Sequence, residues 1–119
     1  MKTYVSIWDT GATNTSITPQ VVEGCNLKEI GRTMVTSADG QITHAQTYLV
    51  DILLPNQVVV QKIEVAQLNF TGEDVLIGMD VIGLGDFAVS KKNGSTVFSF
   101  IVPSKETIDF VKLVNSKKN

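Results

Sequence analysis

Ser6-Ile7-Trp8-Asp9-Thr10-Gly11-Ala12-Thr13 sets a run of β-forming residues directly against a tight polar break. Thr3 to Trp8 favours pleated backbone and predicts a strand. Asp9-Thr10-Gly11-Ala12 ends it, and Thr15 to Thr18 resumes it. An aspartate at the end of a buried strand is partly withdrawn from water. Thr10 offers a hydroxyl that locks the loop, Gly11 permits unusual backbone angles and leaves room for another chain to approach, and Ala12 keeps the wall small. The same tetrapeptide also suits a plain turn in which Asp9 only supports the reversal. The flanking chain must therefore carry the argument further.

Downstream the pattern is mostly strand. Thr18-Pro19-Gln20-Val21-Val22-Glu23-Gly24 predicts a short helix, with Thr18 as cap, Pro19 at the first helical position and Gly24 at the end. Thr33 to Ser37 and Gln41 to Leu54 predict two strands around Ala38-Asp39-Gly40, since Asp-Gly tolerates the positive φ of a tight hairpin. Pro55-Asn56 predicts the next reversal, Gln57 to Leu68 a Val- and Ile-dense strand, and Asn69 to Asp74 a polar loop. Val75-Leu76-Ile77 is a short continuous apolar run, as a buried strand requires. Gly78 to Ile82 predicts a short helix closed by Gly83 or Gly85. Asp86 to Ser90 and Ser95 to Phe100 predict a hairpin around Asn93-Gly94. Pro103-Ser104 is expected to open a terminal helix with Ser104 as its cap, and the tail Ser116-Lys117-Lys118-Asn119 to fray.

The 119 residues fit one globular core, and ten basic against twelve acidic side chains give a formal charge of −2. That balance gives no electrostatic case for nucleic acid. No run is long enough to cross a bilayer, and the N-terminus lacks a secretory pattern, so a cytoplasmic location without membrane contact is expected. Cys25 is the only cysteine and His44 the only histidine, too few for a zinc site of ordinary ligand count. Neither metal nor cofactor is expected. A serine triad has no Gly-x-Ser-x-Gly elbow to anchor it. Gly83-Leu84-Gly85-Asp86-Phe87-Ala88 matches a dinucleotide-binding pattern only formally, because a hairpin rather than a helix is predicted after it.

The Asp9 segment resembles the active-site loop of the retropepsin-like aspartic proteases. Two further features fall in the family's order. Leu76-Ile77-Gly78 matches the late pair of apolar residues followed by glycine, and the hairpin tipped by Ser37-Ala38-Asp39-Gly40 lies where the family places a flap over substrate. The match runs from about Thr3 to Phe100. The resemblance implies an all-β, closed acid-protease barrel with a flap hairpin, one short helix after Gly78 and a helix at the C-terminus. It places the protease domain at 1–102 and a C-terminal helix and tail at 103–119.

The chain carries one Asp-Thr-Gly and no Asp-Ser-Gly. Pepsin-like enzymes carry two such motifs in a double-length chain, so the resemblance implies a homodimer that pairs Asp9 with its copy. The pair would share one proton, with the ionised member activating water and the protonated member donating to the scissile carbonyl. The implied substrate is an extended peptide or protein segment. By the same resemblance Asp9 is the catalytic residue and Thr10 and Gly11 support the loop. Gly11, Ala12 and Thr13 bind substrate main chain, Ser37, Ala38, Asp39 and Gly40 pair with substrate from the flap, and Leu76 lines a side-chain pocket. A catalytically inactive dimerisation or peptide-binding module of the same fold is the alternative.

Two departures from the viral members stand out. Their flap tips are richer in glycine, and only eight residues precede Asp9, so the longer N-terminal strand that joins their subunits is expected to be absent. The strands Phe87 to Ser90 and Thr96 to Phe100 are expected to replace it as an interface sheet. Asp80 is expected to bond to a backbone amide or a basic side chain, Asp74 and Glu73 to lie in a solvated loop, and His44 to sit exposed on a flap strand.

Overall fold

A parallel pair lies at the middle of the larger sheet in the computed structural model, which describes residues 2–117. Lys118 and Asn119, the end of the tail expected to fray, lie outside the described residues. In chain order the first of two units contains β1 (Ser6–Trp8), β2 (Ser16–Ile17), α1 (Pro19–Gly24), β3 (Gly31–Thr36), β4 (Ile42–Leu54), a 3-10 turn at Pro55–Gln57, β5 (Val58–Gln67), β6 (Val75–Ile77) and α2 (Met79–Ile82). This unit ends at Gly83 and the second begins at Leu84. The second unit contains β7 (Asp86–Lys92), β8 (Ser95–Ile101) and α3 (Phe110–Ser116).

The first unit is one six-stranded sheet in the order β1-β6-β2-β5-β4-β3, with β1 and β3 at the ends of that order. The sheet is curled into a half-barrel, and the mostly β character agrees with the sequence. β1 runs parallel to β6, with Ile7 opposite Leu76 and Trp8 opposite Ile77. The two-residue β2 lies between β6 and β5, antiparallel to the first and parallel to the second. β3, β4 and β5 form an antiparallel meander. The core gathers Ile17, Val21, Tyr48, Val65, Ile77, Val81 and Ile82, so β2, β6 and the end of α2 are well covered. Apolar side chains that leave water here contribute about 25 cal/mol per Å² buried.

Local chemistry explains most element boundaries. Pro19 opens α1 with Thr18 extended before it, but the Thr18 hydroxyl donates to the Asp74 carbonyl (3.2 Å) instead of capping the helix. Asp74 is tied in further: its N–H donates to the Val5 carbonyl (2.8 Å) and its carboxylate accepts from the Val5 N–H (2.9 Å). It is half-buried, which corrects the expectation of a purely solvated loop there. The β4–β5 ladder shifts register between Val50 and Ile52, where Lys62 takes a positive φ of 55° and donates its N–H to Asp51 Oδ1 at 2.8 Å.

In the second unit Asn93 and Gly94 both have positive φ, 56° and 80°, and Lys92 pairs with Ser95 across them. This is the mirror-image two-residue turn whose twist suits a hairpin. Phe87 and Phe98 stack across the strands with centroids 6.2 Å apart. The terminal helix starts only at Phe110, capped by Asp109, which accepts from the Lys112 N–H at 3.1 Å. Ser104 does not cap it, because its hydroxyl is taken by Asp86, whose carboxylate also accepts from the N–H groups of Lys105 and Glu106.

Candidate active site

β1 delivers Asp9 to the edge of the core. The Asp9 N–H donates to the Ile77 carbonyl (2.8 Å), extending the parallel β1–β6 pairing by one residue. The chain then reverses: the Ala12 N–H donates to the Asp9 carbonyl (3.2 Å), and the Gly11 N–H donates to Asp9 Oδ1 (2.9 Å). A Cβ on Gly11 would lie 3.2 Å from that same carboxylate oxygen, so glycine gives Asp9 the room to turn back over its own loop. Asp9 is half-buried, and Thr10, Gly11 and Thr13 are exposed. With Oδ1 engaged, Oδ2 has no hydrogen-bond partner among the described residues. One carboxylate oxygen is thus oriented and the other is open to a ligand or a second group.

The loop is fastened to the β6–α2 turn. The Met79 N–H donates to the Ala12 carbonyl (2.8 Å) and the Asp80 N–H to the Thr13 carbonyl (3.1 Å). Gly78 has no alternative at this crossing. A Cβ there would sit 2.7 Å from the Asn14 carbonyl carbon and 2.9 Å from the Ala12 carbonyl oxygen. The late apolar-apolar-glycine signal therefore has a local cause: Ile77 is core, and Gly78 lets the Asp9 loop cross against backbone. Leu76 is half-buried in β6, opposite Ile7 on one side and Ser16 on the other.

The hairpin tip is separately built. The Gly40 N–H donates to the Ser37 carbonyl and the Ser37 N–H to the Gln41 carbonyl, each at 2.9 Å. Only Gly40 has positive φ (84°), so this is a three-residue loop ending in a left-handed glycine, not a two-residue turn with both Asp39 and Gly40 left-handed. Asp39 Oδ1 accepts from the Ser37 hydroxyl and from the Gln41 N–H. The Ser37 hydroxyl first, and the Gln41 N–H second, hold the Asp39 carboxyl below the usual carboxylate range. Ser37, Ala38, Asp39 and Gly40 are all exposed, and these hydrogen bonds run within the turn. They gather the tip residues with one another, as Asp9 to Thr13 are gathered in their own loop.

Sequence reasoning missed one pair. Asp80 bonds to a backbone amide, as expected, but its chief partner is Thr15. The Thr15 N–H donates to Asp80 Oδ2 (2.9 Å), the Thr15 hydroxyl to Asp80 Oδ1 (2.7 Å), and Asp80 Oδ1 also accepts from the Val81 N–H (2.9 Å). The Thr15 hydroxyl in turn accepts from the Gly78 N–H (3.1 Å). Thr15 is 0% exposed, and a buried hydroxyl needs such partners. The signal available was Asp80 in the first turn of a helix, which gives no hint of a partner so distant in the chain. His44 is exposed on β4 opposite Met34. Cys25 lies exposed with its Sγ 3.5 Å from the Tyr4 hydroxyl. Among the described residues no three His, Cys, Asp or Glu side chains gather as a metal site would need, and no helix is long and apolar enough to cross a membrane.

A family model described as "gag-polyprotein putative aspartyl protease" matches residues 2–83. The matched span stops at Gly83, where the first unit also ends. No curated protein and no solved structure matches the chain.

Proposed function

The chain belongs to the gag-polyprotein aspartyl protease family, a retropepsin-like group, and from that premise we propose that two copies act together as an aspartic endopeptidase with one Asp9 from each. The observation that carries this reading is the Asp9 loop. One oxygen of its carboxylate is oriented by the Gly11 N–H, and the Asp9 backbone N–H donates to the Ile77 carbonyl. A single carboxylate cannot serve as acid and base in one step, whereas a pair sharing a proton can. The ionised member takes a proton from water, the water attacks the scissile carbonyl, and the protonated member donates to the carbonyl oxygen. The two copies titrate as a unit.

The half-barrel is the curled wall of an acid-protease barrel in this reading, and the β3–β4 hairpin is the flap. Ser37, Ala38, Asp39 and Gly40 add to an extended substrate as a strand would. Gly11, Ala12 and Thr13 meet substrate main chain from below, Leu76 lines an apolar side-chain pocket, and Thr10 braces the loop of the partner copy. The pairing of copies is supported by the exposure of Val5 (63%), just before edge strand β1, and of Ile7 (42%) on it, since exposed apolar edges invite pairing.

The test is cleavage of a mixed peptide library at mildly acid pH by wild type and by Asp9→Asn. The variant should fold as the wild type does and lose at least about 10²-fold in rate. A statine-type transition-state mimic should bind the wild type far more tightly than the variant. Peptide binding without cleavage by either protein would instead identify a non-catalytic peptide-binding module.

A further inference from the structure

The turn that carries Asp9 is fastened to the β6–α2 turn by one part-buried polar cluster of Thr15, Gly78 and Asp80. The Thr15 hydroxyl accepts from the Gly78 N–H, so its proton points at Asp80 Oδ1. Asp80 Oδ1 also meets the Val81 N–H, and Oδ2 meets the Thr15 N–H. All three groups facing the carboxylate are donors. The Val81 N–H is shared with the Gly78 carbonyl (3.1 Å), whereas the Thr15 N–H and hydroxyl each need an acceptor, one on either carboxyl oxygen. An Asn that kept its oxygen toward the Thr15 hydroxyl and Val81 would turn its NH₂ against the Thr15 N–H. The other bonds that fasten residues 9–13 to residues 77–80 are backbone to backbone and indifferent to side-chain identity. The cluster of Thr15 and Asp80 is therefore the sequence-specific part of the clamp.

We propose that Asp80 is a positioning residue for the Asp9 loop, acting through Thr15 to hold that loop against the β6–α2 turn. The inference rests on the endopeptidase reading for its effect on rate, but the clamp itself does not. Asp80 touches neither substrate nor the reacting atoms. Its contribution is to keep the Asp9 carboxylate where a second carboxylate meets it, and displacements of about 1 Å in such geometry cost up to about 10²-fold in rate.

Two measurements on the full chain test this. In the first, cleavage is compared for wild type, Asp80→Asn, Asp80→Ala, Thr15→Val and Thr15→Ser. Asp80→Ala and Thr15→Val should lower kcat by about 10- to 100-fold with KM changed less than about twofold. Asp80→Asn should fall between Asp80→Ala and wild type. Thr15→Ser, which keeps the hydroxyl, should recover most of what the equally sized Thr15→Val loses. In the second, amide hydrogen exchange is followed on the same proteins and needs no activity. The amides of Asp9, Gly11 and Ala12 should lose protection in Asp80→Asn and Thr15→Val, more than the amides of the β4–β5 ladder do, and regain it in Thr15→Ser.

Equal loss of protection in the loop and in the ladder, including outright unfolding, makes Asp80 a general stability element and overturns the proposal. So does unchanged loop protection. Wild-type protein that shows no cleavage, together with the loop-specific loss of protection, sinks the endopeptidase reading and leaves the clamp standing. Full activity in Asp80→Ala beside an inactive Asp9→Asn sinks the clamp and leaves the endopeptidase.

Discussion

At Gly78 the reason for a residue type is a distance. A methyl group there would press on the carbonyl groups of Asn14 and Ala12 at 2.7 to 2.9 Å, and both are backbone that cannot rotate aside. Gly78→Ala is expected to destabilise the protein by about 1–3 kcal/mol, as overpacked sites do, read as a lower urea midpoint at unchanged slope. Gly11 is a different case. Its added Cβ would crowd only Asp9 Oδ1, at 3.2 Å, on an exposed loop. Gly11→Ala should therefore cost far more in cleavage rate than in unfolding midpoint; equal losses in both would show that the glycine serves the fold alone. The sequence suggested room at Gly11 from its place in the turn. It could not show why Gly78 is glycine, because the atoms it accommodates belong to a loop more than sixty residues earlier in the chain.

Among the elements, strands were legible and their ends less so. Runs dense in β-branched and aromatic residues mark β4, β5 and β8, and Val75–Ile77 matches its expected span. The ends depend on which acceptor captures a given donor. Ser104 has the chemistry of a cap, yet Asp86 reaches it first and Asp109 takes the role. Asp109→Ala should thus lower the helical population of α3, by about 1 kcal/mol at the cap, whereas Ser104→Ala should not; chemical shifts of residues 110–116 distinguish the two. The β3–β4 tip makes a prediction in pH. Asp39 is held below the usual carboxylate range by Ser37 and then Gln41. A carboxylate whose folded value is depressed adds stability above its unfolded value and loses it as pH falls through the folded one. The tip should therefore stay locked through mildly acid conditions, and the Gln41 amide resonance should titrate only below the ordinary carboxylate range. A midpoint within or above that range would contradict the Ser37–Asp39–Gln41 lock.

For the molecule as a whole, the count of one Asp-Thr-Gly per chain was the most informative thing in the sequence, because the proposed paired-acid chemistry then calls for two chains. For the surface that would join two copies the sequence offered only the apolar strands Phe87 to Ser90 and Thr96 to Phe100, since a pairing between identical chains leaves no complementary partner in the sequence to compare. Exposure does not single it out: Val5, Ile7 and Met34 are exposed in the first unit, and Val89, Val97 and Phe110 in the second. The stoichiometry is testable without knowing that surface. If each active unit needs two ionisable Asp9 side chains, a wild-type chain paired with an Asp9→Asn chain is inactive. Mixing equal amounts and allowing subunits to exchange leaves roughly a quarter of the dimers doubly wild type when pairing is random. Activity should then drop to roughly half of that given by the same amount of wild type alone, and should fall further as the variant is added in excess. A monomeric enzyme would show no loss in the mixture, because each wild-type chain would keep its own site. Dilution gives the companion result: specific activity should decline below the dimer dissociation constant, since by mass action the paired site disappears with the pair. A rate that stays proportional to protein concentration down to the limit of detection, with no effect of added variant, would leave Asp9 without the second carboxylate on which the proposed chemistry depends.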